Sequence, residues 1–466
     1  MLWRILSIFA LISLTTFAVC QRQTLCEVLT RSQITYVLTD EQKQQLVSQG
    51  YNLSQNPYNG IYKFVVDPRD TRIYVNMPRI FTTNGMAPYT LGVQESFEPD
   101  APIYPFPSFE ENQLPNGMVS AVSTTLDNCN QMWILDGGTF SLSETVQKYD
   151  VALLIYSFKE KRIIYRYPFP REFTTPGPSS SARLIIDDSQ GCENIKIIVS
   201  DALVNHLAVF DYKTKTSWKI KHWTFEPLPQ YSSFQYKNHT LLLPVGIYSI
   251  NLTPPMGKRG IRYLMYNSYS GDTIYTVPLS ILYRRELWTR GVSVWRPYGK
   301  HFFVNKNQKG NQLFNKVKNF FKNEEEPEDQ YTFIDVNRYF KAVGKSESLV
   351  GSYCNMDIGN RILYCALPRE RGVSAWFIDK PFSTNKIIVR NNELLQNPAV
   401  VATKTNLQGE TEIVITTTNF VQIALGMMFP DPGNYAVFIC KASEIHQGDH
   451  KPCTSNIYSH CKTVGF

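Results

Sequence analysis

Three aspartates stand where a carboxylate could move a proton, Asp127, Asp136 and Asp201, each beside an apolar run. Strand-end carboxylates more often cap turns, because their oxygens accept from the backbone N–H groups that a turn leaves free. Near the C-terminus His446, His450, Cys453, His460 and Cys461 gather at a loosely metal-like spacing. In a secreted chain disulfides account better for such cysteines, so neither a metal nor another cofactor is expected. No H-E-x-x-H, G-x-S-x-G, phosphate-loop or dinucleotide fingerprint occurs, which leaves the common hydrolase and nucleotide chemistries without support. Trp133 and Trp218 read as core residues, since large aromatics fill interfaces between sheets.

Residues 1–20 have a short basic start at Arg4, an apolar run from Ile5 to Val19, and small residues before Gln21. That pattern predicts a signal peptide, and no other stretch approaches the roughly 20 apolar residues of a membrane helix. Secretion into an extracellular, oxidising compartment follows as an expectation. Of the nine cysteines, eight remain once Cys20 is removed, an even set suited to disulfides. Sequons at Asn52, Asn238 and Asn251 mark candidate glycosylation sites, with Pro254 following the third. The formal charge of +7 is mild for 466 residues, and it argues against nucleic-acid binding.

Twenty-seven tyrosines and as many phenylalanines, set among Pro and Gly punctuation, point to strands. Short candidate strands recur along the whole chain: Gly60 to Val66, Arg72 to Asn76, Gln131 to Leu135, Val151 to Ser157, Ile195 to Ser200, Leu207 to Tyr212, Gly246 to Leu252, Arg262 to Tyr266, Arg361 to Ala366, Val373 to Ile378 and Glu412 to Thr417. Asp40 to Ser48 reads as a short helix. With no real linker, residues 21–466 are expected to form one closed all-β domain, a propeller ahead of a chain of sandwiches, with a cysteine-containing C-terminal tail. Between Asn305 and Gln330 a lysine-rich stretch precedes a run of acids, which reads as a solvated loop, or alternatively as a basic helix over Leu313 to Phe321 that docks on an anionic surface.

Several segments resemble the yellow / major royal jelly protein family. Asp127-Asn128-Cys129-Asn130-Gln131-Met132-Trp133-Ile134-Leu135-Asp136-Gly137-Gly138 is similar to its D-x-C-x-x-L-W-V-L-D-S-G signature, and Met77-Pro78-Arg79 with Gly85, Pro88, Thr90 and Leu91 to its P-R-…-G-V-P-A-T-L. Tyr104 to Ser108, Val199 to Asp201, Ser217 to Ile220 and Gly246 to Pro254 resemble further family segments in the same order. Glu412 to Asn419 and Asn434 to Val437 sit where the family has L-T-N-R and N-F-R-I.

The resemblance implies a disulfide-stabilised, six-bladed β-propeller with a ligand site in its central channel. Some salivary members bind biogenic amines, some pigmentation members convert dopachrome, and others are nutritive, so the fold alone does not decide function. The positions it carries over as ligand-binding are Thr418, Asn419, Asn434 and Tyr435, whose hydroxyl, amide and aromatic groups suit a small aromatic amine or catechol. Phe420 and Ala436 replace family arginines beside them. The expected role is therefore binding, with dopachrome conversion or a nutritive role as alternatives. The family's cysteine after the signature tryptophan is missing here, which leaves Cys192 as the implied partner of Cys129. Ala375 stands where the family has a cysteine before Trp376, so Cys453 is left with Cys354, Cys365, Cys440 and Cys461 as possible partners.

Overall fold

The computed structural model describes residues 26–442 apart from a series of loops, the longest of them 140–148, 174–180, 290–335 and 419–434. The chain opens with β1 (Cys26–Arg31) and the helix α1 (Asp40–Ser48), whose bounds match those read from the sequence. Thr39 caps the helix by accepting from Gln42 N–H, and the Gln42 side chain reciprocates at the Thr39 N–H, a closed capping box.

Antiparallel four-stranded sheets follow, each a run of consecutive strands. The first comprises β2 (Lys63–Val66), β3 (Ile73–Asn76), β4 (Leu91–Gln94) and β5 (Tyr104–Pro105). The second comprises β6 (Ala121–Leu126), β7 (Gln131–Asp136), β8 (Ala152–Ser157) and β9 (Arg162–Pro168). The third comprises β10 (Ser181–Asp187), β11 (Lys196–Asp201), β12 (His206–Asp211) and β13 (Thr216–Lys221). A two-stranded hairpin, β14 (Ser233–Tyr236) and β15 (His239–Leu242), precedes the fourth sheet of β16 (Ile247–Leu252), β17 (Tyr263–Ser268), β18 (Thr273–Pro278) and β19 (Lys341–Lys345). The fifth comprises β20 (Tyr353–Asp357), β21 (Ile362–Leu367), β22 (Gly372–Phe377) and β23 (Lys386–Arg390).

Among the described residues, then, five blades are built from consecutive strands, where a six-bladed propeller was expected. The remaining four-stranded sheet is composite. It pairs β1 with β26 (Tyr435–Lys441), followed by β25 (Thr411–Thr418) and β24 (Pro398–Thr405). Taking its outer strand from the opposite end of the chain joins the N- and C-terminal strands in one sheet.

The core is divided among the sheets. Six apolar clusters lie between neighbouring sheets, as where Trp133, Leu153 and Ile155 of the second meet Ile197, Val199 and Phe210 of the third. Val414 of the composite sheet packs with Phe64 and Val75 of the first, which brings the two ends of the series together. The innermost strands β2, β6, β10, β16, β20 and β24 each touch the next along this series. In β6, β10, β16 and β24 the register shifts near the first residue, a bulge that re-aims the next side chain.

Among the described residues two disulfides brace the sheets. Cys129–Cys192 ties the β6–β7 turn to the loop before β11, as the family comparison of cysteines implied. Cys354 pairs with Cys365, its register partner on the adjacent strand, with Cα atoms 4.0 Å apart. Those two are thereby removed from the possible partners of Cys453, which itself lies outside the described residues with the rest of the C-terminal His/Cys group. The lysine-rich segment 305–330 and the leader 1–20 lie outside them too. No helix among the described residues is long and apolar enough to cross a membrane.

Candidate channel site

The innermost strands of a propeller run side by side about the axis, so their first residues share one rim. Tyr62 directly precedes β2, Lys63 begins it, Arg183 is third in β10, Tyr248 second in β16 and Tyr353 first in β20. The Tyr62 and Tyr248 hydroxyls meet at 2.9 Å, joining the first and fourth sheets across the ring. Tyr248 also lies edge-on to Tyr269 at 5.4 Å and to Tyr353 at 6.4 Å. Tyr62, Tyr248 and Tyr269 are half-buried, whereas Lys63, Arg183 and Tyr353 beneath them are buried.

The two cations are the unusual members. Lys63 Nζ lies 2.8 Å from Ser123 Oγ, which in turn accepts from the Leu184 N–H. Arg183 donates from Nη1 to the Cys354 carbonyl and lies over the Tyr353 ring at 4.0 Å, while its Nε has no hydrogen-bond partner. Neither cation has a carboxylate partner among the described residues. Burial, with Arg183 nearby, holds the Lys63 ammonium well below its usual range, and burial also lowers Arg183. Loss of water around the phenol pushes Tyr62 up to about 12, with Tyr248 and Tyr353 raised for the same reason. The result is a patch of buried basic groups, without carboxylate partners among the described residues, set beside phenolic O–H groups.

Backbone geometry places Tyr248. Gly246 hydrogen-bonds to the Ala202 carbonyl at 2.8 Å and accepts from the Tyr269 N–H at 2.9 Å. A Cβ there would collide with Asn205 Oδ1 and the Phe225 carbonyl, so the glycine is needed for the close approach.

The residues carried over from the family resemblance fall on the composite sheet. Thr418 and Tyr435 are register partners at the end of β25 and the start of β26, the same rim at which the innermost strands begin. Asn419 and Asn434 lie outside the described residues. The three aspartates are occupied in turns. Asp127 accepts from the N–H groups of Cys129 and Gln131 and from Trp133 Nε1, all at 2.8 Å. Asp136 accepts from the Val119 and Ser120 N–H groups at 2.9 and 2.8 Å, and Asp201 from those of Leu203 and Val204. Trp133 and Trp218 are buried core residues, the latter donating to the Leu282 carbonyl at 2.9 Å.

The most recognisable sequence motifs are therefore structural. Arg79 of the Met77-Pro78-Arg79 segment is 1% exposed and its guanidinium donates to five carbonyls, those of Ala87, Pro88, Asn112, Met118 and Val119. Asn251 requires a correction as a glycosylation site. It lies within β16 at 4% exposure with Nδ2 directed to Ser249 Oγ, so a glycan has no room there in the folded protein. Asn52 is exposed beyond α1, and Asn238 lies outside the described residues. Sequence reasoning passed over Lys63 and Arg183. The available signal was a lone cation inside an otherwise apolar strand, as in Ile61-Tyr62-Lys63-Phe64-Val65-Val66.

Fold and rim together define a disulfide-braced β-propeller with a cationic and phenolic axial site. Residues 119–317 match the family model described as major royal jelly protein. A dopaminechrome tautomerase of Drosophila melanogaster is 23% identical over 51% of each chain. The yellow-related salivary protein LJM111 of Lutzomyia longipalpis is 25% identical over 48% of this chain and 59% of its own, and ASP4 of Phlebotomus orientalis is 26% identical over 44% and 53%. Over residues 119–317 the chain is thus similar to the yellow / major royal jelly protein family, and its salivary relatives carry yellow-related names. Its matches span about half the length of these curated relatives. Among solved structures, a regucalcin described as calcium-binding, from Agrobacterium tumefaciens, aligns at TM-score 0.38 and 10% identity over 82% of this chain and 90% of that one, a likeness too loose to argue from.

Proposed function

We propose that this chain is a secreted propeller, with the composite sheet as its sixth blade, that binds one small aromatic ligand at the rim of its central channel. The observation that carries the reading is the Tyr62–Tyr248 contact across the axis, set among Tyr269 and Tyr353. Aromatic walls stack on an aromatic ligand and phenolic O–H groups hydrogen-bond its oxygens. The basic groups below repel an ammonium, so a catecholamine would enter with its ring oxygens inward and its ammonium toward the rim; Thr418, Asn419, Asn434 and Tyr435 are proposed to help hold it, as the family resemblance implies. Secretion is supported by the apolar leader and by relatives named as salivary proteins, and glycosylation is retained as a proposal at Asn52 and Asn238.

Calorimetric titration with dopamine, noradrenaline, serotonin, octopamine and histamine tests this. One-to-one binding is expected, strongest for the catecholamines and weakest for histamine, which has no ring oxygen, and it weakens in Tyr248→Phe. Silence across the panel would overturn the binding reading.

A second reading is conversion of an aminochrome such as dopachrome. The dopaminechrome tautomerase among the relatives favours it, and so does Lys63, whose depressed ammonium pKa suits an amine base. Such an isomerisation moves two protons from the five-membered ring's carbons to the two quinone oxygens, without net oxidation. Loss of the aminochrome absorbance catalysed by the protein and abolished in Lys63→Gln would favour turnover, while an unchanged rate over buffer would exclude it.

A further inference from the structure

Two basic side chains buried on the axis, on different sheets and without a carboxylate partner among the described residues, need an explanation beyond packing. Lys63 is 8% exposed and Arg183 5%, and the fixed dipoles against them are the Ser123 hydroxyl, the Cys354 carbonyl and the Tyr353 face. Ser123 accepts from both Lys63 and Leu184 N–H, so its oxygen is already committed. The Cys354 carbonyl satisfies one corner of the guanidinium and leaves Nε bare in a buried position. Desolvated cations of this kind bind anions strongly, because little water has to be removed from the protein side on binding and the local dielectric is low.

We propose that Lys63 and Arg183 form an anion subsite at the base of the channel, which takes the carboxylate of an aromatic acid whose ring lies between Tyr62, Tyr248 and Tyr353. The proposal rests on the channel-binding reading and narrows it, from aromatic ligands in general to those that carry a negative charge opposite the rim. Tyr62 and Tyr248 supply the second half of the recognition. Their hydroxyls, which bond to each other in the free protein, can each turn to donate to a carboxylate or phenolate oxygen.

The test compares 3,4-dihydroxyphenylacetate, 4-methylcatechol and acetate as calorimetric titrants of the full chain and of two variants, Arg183→Gln and Lys63→Gln. These probes separate ring plus charge, ring alone and charge alone. The expected result is that 3,4-dihydroxyphenylacetate binds at least tenfold more tightly than either of the others. That advantage should shrink at least tenfold in each variant. The two variants lie on different sheets, so one still reports if the other does not fold. Equal binding of the acid and 4-methylcatechol, unchanged in the variants, would overturn the anion subsite and leave the channel-binding reading standing. Acetate as tight as the aromatic acid would overturn the aromatic part in favour of a small free anion. No binding by any probe, alongside silence across the amine panel, would remove both readings.

Discussion

Lys63 sits in β2 where an apolar residue would pack without cost. It interrupts an apolar strand, its water is stripped away, and its hydrogen-bond partner is a neutral serine. Burying an amine in that state costs about 1–3 kcal/mol relative to a well-packed side chain of similar length. Lys63→Met is therefore expected to raise stability by about that amount in denaturant titration while abolishing the preference for an aromatic acid. A destabilised Lys63→Met would show that the lysine is a structural part of the blade. Arg79 gives the opposite case at the same scale. It is equally buried, but its donors are met by five carbonyls, so Arg79→Ala would leave all five without that partner and is expected to cost about 3–5 kcal/mol. Both arginines and the lysine look alike in the sequence, because what separates them is the number of acceptors that folding brings within reach.

Strands that pack between sheets were legible because both faces meet apolar neighbours. Gln131 to Leu135 and Leu207 to Tyr212 read as strands and correspond to β7 and β12, within a residue at each end. The innermost strands β6, Ala-Val-Ser-Thr-Thr-Leu, and β20, Tyr-Cys-Asn-Met-Asp, were not read as strands. One edge of each borders the polar axis, so serine, threonine and asparagine break the apolar pattern there. The site was hidden for a different reason: the strands over Gly60 to Val66 and Gly246 to Leu252 were read, but the site's residues come from sheets far apart in sequence, and only folding brings them together. What the signature did disclose was bracing. Cys129 and Asp127 in one turn fix the end of the β6–β7 hairpin, with a bridge to Cys192 across 63 residues and Asn128 donating to Asp188 beside it. Closing a loop of that length contributes about 4 kcal/mol against about 3 for the 11-residue separation of Cys354 and Cys365. The paired variant Cys129→Ser with Cys192→Ser should thus lose more stability in denaturant than Cys354→Ser with Cys365→Ser. The reverse order would mean that strain or residual structure outweighs loop closure.

Six apolar clusters divided among neighbouring sheets, in place of one central core, make the ring cooperative, because opening any interface exposes two sheets at once. The third and fourth sheets carry a pH dependence that the whole ring would feel. His206 is pushed down to about 3 by burial and the nearby Lys219 and Lys221, with Nδ1 lacking a partner. His222, stacked at 3.7 Å on Phe340, is pushed down to about 4 by burial. Its Nδ1 accepts from the Thr224 N–H, which puts the proton on Nε2, facing Asn337 Oδ1 at 3.0 Å. Both rings are neutral when folded and take up a proton below about 6.5 when unfolded. In that window the unfolded chain binds more protons, so stability is full above about pH 6.5 and falls as the pH drops toward 4. Each histidine is expected to withdraw on the order of 2 to 3 kcal/mol over that interval. Asp67 and Asp187 have lowered pKa values, so their contributions are lost only below the ordinary carboxylate range and do not share this window. Denaturant midpoints measured from pH 7.5 to 4 should therefore decline in the native chain and flatten in His206→Gln with His222→Gln. An equally steep decline in the double variant would place the titrating groups elsewhere in the ring.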